Sequence, residues 1–365
     1  MKVGIVTLHR GVSYGGFLQA YALSQFLDQC GHEVKIVDYF PEHRERYYRM
    51  PAFSSHRFGL NGRNFRILKE WRLARRRIST FKSSVETYLP TTRDQYFSAS
   101  ELKSANVEFD VCVMGSDQIW NPRTTGGTLD DTYFGCFGKS EMRRVAYAAS
   151  FGGIGSSEKK GMSDLPQLLG SLDVITVREE LGIEMVRKAV NKEVRRVVDP
   201  TFLLPPEDFP NRPISRCPDD YVLGYFLQKM DAKRQIATSL AREFGVPFVD
   251  VAEIVARERF SPFNLLALIR GAKWVVTDSF HGTALSIANR KNFTALGLCG
   301  EAAVRNGRIV ELLTRLDLST SYHAFPDEVC LDAILEGSIN WGKVNDLLQQ
   351  DVQYSRKVLE EAIAG

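Results

Sequence analysis

The sequence lacks the features of several specialised classes of protein. Its six cysteines are widely separated, and no two are spaced as a CxxC metal or redox pair, which predicts reduced thiols in a cytoplasmic protein. No apolar run approaches the roughly 18 residues of a membrane span, and the short apolar start is wrongly flanked for a signal peptide. The formal net charge of +3 is too small for a dedicated nucleic-acid-binding protein, so we expect no nucleic acid as partner.

Common catalytic signatures are missing as well. The chain contains no GxxxxGK[ST], no GxSxG, no HExxH and no cysteine–histidine zinc spacing. These absences argue against a Walker-type nucleotide site, a nucleophile elbow and a zinc site.

The chain of 365 residues is too long for one ordinary core, and its hydrophobic fraction of 44% is ample for two. Strand-like and helix-like patterns alternate in both halves, which predicts an α/β protein with parallel sheets. A proline-rich segment, LLPPEDFPNRP, marks the domain boundary. We therefore expect an N-terminal domain over 1–204, a C-terminal domain over 205–335 and an amphipathic helical tail over 336–365 that packs on the first domain.

An insertion at about 41–82 interrupts the first α/β pattern. It holds ten arginines interleaved with aromatic residues and predicts a helical excursion from the sheet. Such a segment is either a solvated basic face or a contact with nucleic acid, an anionic membrane surface or a phosphate-bearing lipid. The aromatic residues favour peripheral contact with the inner face of a membrane among these contacts.

The segment TDSFHG joins a predicted strand, AKWVVTDS, to a predicted helix, TALSIANR. Open α/β sheets bind ligands at this edge, and a helix start binds anions through its free N–H groups and its dipole. His281 can there add a charge-assisted hydrogen bond or transfer a proton. The alternative is that Ser279 or Asp278 only caps the helix.

The segment VMGSDQIWN also follows a buried strand. Gly115 and Ser116 allow a ligand to approach the backbone closely, and Asp117, Gln118 and Asn121 add polar groups. Asp117 is a candidate general acid or base, and capping of the next turn explains it equally well.

Two further turns offer weaker signals. Arg178 follows a strand and can hold a carboxylate or phosphate with its planar guanidinium, or form a surface ion pair with Glu179 or Glu180. Gly15 and Gly16 form a turn that suits an anion or a sugar, or is purely structural.

Seven segments, SYGGFLQAYALS, VMGSDQIWN, AYAASFG, TVREELG, VVDPTFLL, TDSFHGTALSI and RIVELLTRLDL, resemble those of the polysaccharide pyruvyl transferase family and occur in the same order. The resemblance implies a fold similar to the GT-B glycosyltransferases, in which two Rossmann-like domains face one another across a cleft. It also implies transfer of a pyruvyl group from phosphoenolpyruvate to two hydroxyls of one sugar residue, giving a cyclic ketal and phosphate.

The family's His-Gly pair matches His281 and Gly282, and its Arg-Glu turn matches Arg178 and Glu179. Some members have Ser-Arg-Leu-His-Gly where this chain has Asp-Ser-Phe-His-Gly at 278–282. Ser279 therefore stands at the position of the family's arginine. We therefore expect Arg178 and Arg308 to supply the positive charge that binds the donor.

The residue patterns and the resemblance together give each candidate residue an expected role. The expected catalytic residues are His281, Asp117 and Arg178; we expect donor contacts from Ser279, Gly282, Arg308, Ser116 and Gly115, and acceptor contacts from Tyr14, Gly15, Gln118 and Asn121. The chemistry implies no metal and no cofactor, with phosphoenolpyruvate as donor substrate. The implied acceptor is a glycan, a polysaccharide or its lipid-linked precursor.

Two other functions fit the same scaffold, because function resides in the site and not in the fold. One is a GT-B glycosyltransferase that uses a nucleotide-sugar. The other is a non-catalytic protein that binds an anionic glycan or lipid, and Ser279 in place of arginine is compatible with it.

Overall fold

The computed structural model describes residues 1–44, 62–154, 160–215, 217–325 and 329–365, with the backbone alone over 62–69. It contains two parallel sheets, one built from residues 2–196 and the other from 222–323. Residues 45–61 of the predicted insertion lie outside the described residues. The rest of the insertion belongs mainly to helix α2, Gly62–Tyr88.

The first sheet has seven strands in the order β3-β2-β1-β4-β5-β6-β7. The strands are β1 Lys2–Val6, β2 Glu33–Tyr39, β3 Thr91–Tyr96, β4 Val111–Met114, β5 Arg143–Ala149, β6 Val174–Val177 and β7 Val194–Arg196. Helices α1 Tyr14–Gln29, α3 Ala99–Ser104, α4 Leu165–Gly170 and α5 Glu180–Ala189 accompany them. The apolar patterns do not predict β3, since this edge strand reads TTRDQY and is only partly buried.

The second sheet has five strands in the order β12-β11-β10-β8-β9. They are β8 Val222–Tyr225, β9 Phe248–Asp250, β10 Trp274–Thr277, β11 Phe293–Leu296 and β12 Tyr322–His323. The accompanying helices are α6 Asp231–Glu243, α7 Val251–Arg257, α8 Pro262–Gly271, α9 Phe280–Ala288, α10 Gly307–Arg315 and α11 Leu331–Glu336. Strands β8, β10 and β11 are buried at every position, as expected for the interior of a parallel sheet covered on both faces.

The two sheets share a continuous apolar core. Phe263 of α8 contacts Phe17 and Tyr21 of α1 edge to face, with ring centroids 5.5 and 5.1 Å apart. The proline-rich connection joins this core, because Phe209 is buried with its ring 5.7 Å from that of Tyr21. These contacts join the two sheets through one apolar cluster.

Two further helices connect the N-terminal and C-terminal halves of the protein. The last helix, α12 Trp341–Ala364, lies against the first sheet, where Ser355 Oγ accepts from Val198 N at 2.9 Å. In α2, Arg76 donates to the carbonyls of Val255 and Arg257 at the end of α7, at 2.7 and 3.0 Å. Within the described residues, no helix is both long and apolar enough to cross a membrane.

Candidate active site

Four polar residues meet where strands of both sheets end. Asp117 follows β4, Arg178 follows β6, Asp199 follows β7, and His281 lies in the first turn of α9 after β10. Parallel strands bring their carboxyl ends to one edge of each sheet, and here the two edges face each other. The structure thus brings together His281, Asp117 and Arg178, the three predicted catalytic residues.

Arg178 lies at the centre of this cluster with its side chain only 2% exposed. Its Nη1 donates to Asp199 Oδ2 at 2.6 Å, its Nη2 to Asp117 Oδ1 at 3.3 Å and its Nε to Glu179 Oε2 at 3.3 Å. The ion pair with Glu179 considered from the sequence does form, but it is buried and not at the surface. Because its nitrogens are engaged by three carboxylates, Arg178 is placed to orient them.

The pKa values of these groups follow from their mutual contacts. Burial alone would raise the pKa of Asp199 and Asp117, but the charge of Arg178, together with that of His281 when its ring is protonated, outweighs burial and holds both pKa values below their usual range. Burial raises the pKa of Glu179, although Ser150 Oγ donates to its Oε1 at 2.6 Å. At neutral pH, Asp117 and Asp199 are carboxylates.

Helix α9 begins at Phe280 with Ser279 as its N-cap, since Ser279 Oγ accepts from Gly282 N at 3.3 Å. Capping therefore occurs together with, and not instead of, the placement of His281 in the cluster. A Cβ built on Gly282 would overlap Thr277 Oγ1, so this glycine lets α9 pack closely on the end of β10.

The imidazole of His281 lies at the junction of the two sheets. Its Nε2 is 3.7 Å from Asp199 Oδ2 and is buried without a hydrogen-bond partner among the described residues. A Cβ built on Gly15 of α1 would overlap its Nδ1. Burial lowers the pKa of His281 despite the two nearby carboxylates, so the ring is neutral at neutral pH.

Asp117 has φ of 71°, in the left-handed region that aspartate tolerates better than most residues. No helix lies between Asp117 and Asp131, all of which is described, but a turn follows at 119–120, and a backbone hydrogen bond from Gln118 to the carboxylate is compatible with capping of that turn. The carboxylate also pairs with Arg178.

The remaining donor candidates before Asp117 hold its loop in place. Ser116 is fully buried; its N–H donates to Gln19 Oε1 at 3.1 Å and its Oγ to Ala148 O at 2.8 Å. A Cβ built on Gly115 would overlap Tyr147 O. Their contacts with a donor remain a prediction.

The acceptor candidates divide between two places. Tyr14 is buried in an aromatic cluster with Phe81, Phe260 and Tyr225, at centroid distances of 5.0, 5.5 and 6.2 Å. Gln118 and Asn121 lie in the loop after Asp117, where Asn121 Nδ2 donates to Gln118 Oε1 at 3.2 Å. Asn121 Oδ1 also accepts from Arg123 N at 3.0 Å, so the amide of Asn121 serves the loop itself. Acceptor binding by these residues is still a prediction.

Arg308 lies beside the cluster, its guanidinium Cζ 5.5 Å from the centre of the Phe280 ring, while Arg178 Cζ lies 4.6 Å from the same centre. Among the described residues, no hydrogen bond or ion pair to Arg308 is formed, and its Nε is shut off from solvent. Burial and the charge of Arg178 lower the pKa of Arg308 to about 10. Arg308 is thus a cation available to a ligand.

Sequence reasoning missed two residues near this cluster. Asp199 lies in the segment VVDPTFLL, and the only local signal is an aspartate before proline at the end of a strand; it accepts from Thr201 N at 3.1 Å. Arg305 precedes α10, and its Nε is also buried without a partner among the described residues. Nothing in the local sequence distinguishes Arg305 from a surface arginine.

Comparison with known proteins identifies the kind of molecule that carries this site. Residues 14–299 match the sequence profile of the family described as polysaccharide pyruvyl transferase. The chain belongs to this family. It is therefore a transferase, and the motif resemblance is confirmed. No curated protein matches the chain.

Solved structures similar to this transferase show the fold. UGT89C1 from Arabidopsis thaliana is 8% identical, with 99% of each chain covered and a TM-score of 0.50. Its form complexed with UDP is 12% identical, with 100% of this chain and 98% of that one covered and the same TM-score. UDP-GlcNAc 2-epimerase from Methanocaldococcus jannaschii is 9% identical over 100% of both chains, at 0.49. The two parallel sheets and the two UGT89C1 structures confirm the predicted fold, two Rossmann-like domains in a GT-B-like arrangement.

Proposed function

We propose that this transferase moves the pyruvyl group of phosphoenolpyruvate onto two hydroxyls of one sugar residue in a polysaccharide or its lipid-linked precursor, forming a cyclic ketal and releasing phosphate. Membership of the family supports a polysaccharide acceptor. The observation that carries the proposal for the donor is an available cation, Arg308, beside an unpartnered imidazole, His281, at the start of a helix.

Phosphoenolpyruvate has two anionic groups, a carboxylate and a phosphate, and each needs a positively charged or N–H-rich partner. Arg308 offers a guanidinium and the first turn of α9 offers backbone N–H groups with the positive end of the helix dipole. Arg178 does not bind the donor in this scheme, because its nitrogens already donate to Asp117, Glu179 and Asp199. It orients these groups instead.

The reaction consists of two additions and one elimination. A proton is added to the methylene carbon, which becomes the methyl group, while a sugar hydroxyl adds to the neighbouring carbon and loses its proton. The second hydroxyl then adds to the same carbon as the carbon–oxygen bond to phosphate breaks. In the balance, one hydroxyl proton ends on the methyl group and the other on phosphate.

The charges in the cluster suggest how the proton transfers are divided. Asp117 is held ionised by Arg178, so it suits the general base that accepts a hydroxyl proton. His281 is uncharged in the free protein and gains a proton readily once the anionic donor is bound beside it, so it suits the general acid. No step of this scheme calls for a metal, and we expect a chelator to leave the activity unchanged.

Thermal denaturation with and without millimolar phosphoenolpyruvate tests the donor. Ligand that binds only the folded protein at a hundredfold excess over Kd stabilises it by about 2.7 kcal/mol. We expect a rise in Tm with phosphoenolpyruvate that His281→Ala and Arg308→Gln abolish, and that UDP-glucose does not produce. The exposed variant Arg257→Gln, whose side chain is 79% exposed, is the matched control.

Product formation completes the test. Incubation with phosphoenolpyruvate and a panel of hexosides should release phosphate and give a new ketal methyl signal by NMR. A rise in Tm with UDP-glucose alone would favour the nucleotide-sugar glycosyltransferase. Glycan binding without product from any hexoside, and unaffected by His281→Ala, would favour a non-catalytic binding protein.

A further inference from the structure

Arg305 lies in the short turn Gly300–Arg305 that leads into α10. The segment is fixed to the end of β11 through Asn306, whose Oδ1 accepts from Leu298 N at 2.8 Å and whose Nδ2 donates to Leu298 O at 3.0 Å. Arg305 and Arg308 therefore lie on a segment held by these hydrogen bonds, three positions apart with Asn306 and Gly307 between them.

The guanidinium groups of Arg305 and Arg308 have no directly bonded partner among the described residues. Both Nε atoms are buried, and no described residue forms a hydrogen bond or an ion pair with either side chain. Burial and the charge of Arg123 lower the pKa of Arg305, and burial and the charge of Arg178 lower that of Arg308, whereas Asp278 acts in the opposite direction on Arg305, as Glu179 and Asp117 do on Arg308. A partly buried guanidinium group without a hydrogen-bonded partner is unfavourable, and a bound anion reduces the penalty.

The nearby carboxylates are engaged elsewhere. Asp278 accepts from Lys233 Nζ at 2.8 Å, in a pair whose side chains are both 0% exposed. Glu179 accepts from Ser150 and Arg178, and Asp117 faces Arg178. The guanidinium hydrogens of Arg305 and Arg308 are therefore left available to a ligand.

We propose that Arg305 and Arg308 together bind the phosphate group of the donor and retain it as the leaving phosphate. This assignment rests on the proposed function. A phosphate dianion has three terminal oxygens and matches two guanidinium groups, each of which can donate two parallel hydrogen bonds. The carboxylate, with a single charge, is left for the start of α9 beside His281.

Calorimetric titration of the full-length protein with inorganic phosphate and, separately, with pyruvate tests this assignment. Pyruvate carries the carboxylate without the phosphate. We expect Arg305→Gln to weaken phosphate binding by at least about tenfold, as the loss of a charged hydrogen bond implies, and to leave pyruvate binding unchanged. Arg305→Lys should bind phosphate with an affinity between those of the parent and Arg305→Gln. Arg257→Gln should bind phosphate as the parent does.

The stability of the variant provides a second readout. Since Arg305 has no partner among the described residues, Arg305→Gln relieves repulsion and should leave Tm unchanged or raise it. Phosphate bound equally by parent and variant would overturn the assignment. So would phosphate binding too weak to detect in the parent, or a variant that loses pyruvate and keeps phosphate.

The two proposals fail in different ways. If ketal forms from phosphoenolpyruvate while Arg305→Gln binds phosphate normally, only the role of Arg305 is wrong. If Arg305→Gln loses phosphate as expected but the parent never converts phosphoenolpyruvate, the anion site stands and the proposed function is wrong.

Discussion

Asp199 Oδ2 lies 3.7 Å from His281 Nε2, and the two residues belong to different halves of the protein. The same oxygen accepts from Arg178 Nη1 at 2.6 Å, and Asp199 Oδ1 accepts from Thr201 N at 3.1 Å. The carboxylate is thus held by the first sheet and directed at an imidazole supplied by the second. We expect the charge of Asp199 to make it a positioning residue for His281, since the 3.7 Å separation is longer than a hydrogen bond.

Replacement of Asp199 by Asn should lower the rate of ketal formation by about a hundredfold or more, the usual contribution of an oriented acid or base. The negative charge of Asp199 raises the pKa of His281, so its removal should move the imidazole titration to lower pH, as followed by NMR. Asp346→Asn, an exposed change on α12, is the control. Loss of activity with an unchanged His281 titration would contradict the positioning role.

Gly15 should tolerate no side chain. A Cβ at this position would overlap the imidazole of His281, so Gly15→Ala must displace the ring, the start of α1 or both. We expect activity to fall by at least about tenfold and the NMR signals of His281 to shift. Gly170→Ala, at a helical glycine with open space around it, should change neither. An active Gly15→Ala variant would show that the position of the ring is not required.

Much of this architecture is readable from the sequence because it depends on neighbours in the chain. Apolar runs that end in Gly, Ser or Asp locate the ends of β4 and β10, and hence Asp117 and His281. Contacts between residues that are far apart in the sequence cannot be predicted in this way. The packing of Gly15 on His281 and the link from Asp199 to His281 arise only when the two sheets meet, and no local pattern encodes either.

The two missed residues illustrate the same limit. An arginine is recognised as a ligand-binding residue when no protein group pairs with it. Arg305 differs from Arg315, which pairs with Asp351 at 2.6 Å, only in its surroundings. Strand β3 is not predicted from the sequence either, because an edge strand needs no apolar face and TTRDQY has almost none.

Arg178→Gln should destabilise the protein strongly. The change leaves Asp117, Glu179 and Asp199 buried together without their shared cation, and breaking a buried ion pair on one side typically costs about 3–5 kcal/mol. Urea denaturation at pH 7.5 measures the loss. The control Arg195→Gln breaks a pair with Glu193 on the surface and should cost less than about 1 kcal/mol.

The loss in Arg178→Gln should also depend on pH. In the parent, Arg178 holds the pKa values of Asp117 and Asp199 low, and their contribution to stability is lost only as the pH falls through these lowered values. Without Arg178 the carboxylates take up protons at higher pH, which relieves their repulsion. The gap between parent and variant should therefore narrow on acidification, and a constant gap would contradict this account.

His281 should make the protein less stable as the pH falls from 7.5 to 5.5. Its pKa in the folded protein is lowered by burial, so between that value and the ordinary one of about 6.5 the unfolded chain binds more protons than the folded protein. Stability from this residue is thus complete above about pH 6.5 and is lost towards the lowered pKa. His281→Gln removes the titrating group, and its free energy of unfolding should depend less steeply on pH over this interval. Saturating phosphate should also reduce the pH dependence of the parent's free energy of unfolding, because a bound anion favours the protonated ring. Equal pH dependence for the parent, His281→Gln and the parent with phosphate would show that His281 does not titrate in this buried cluster.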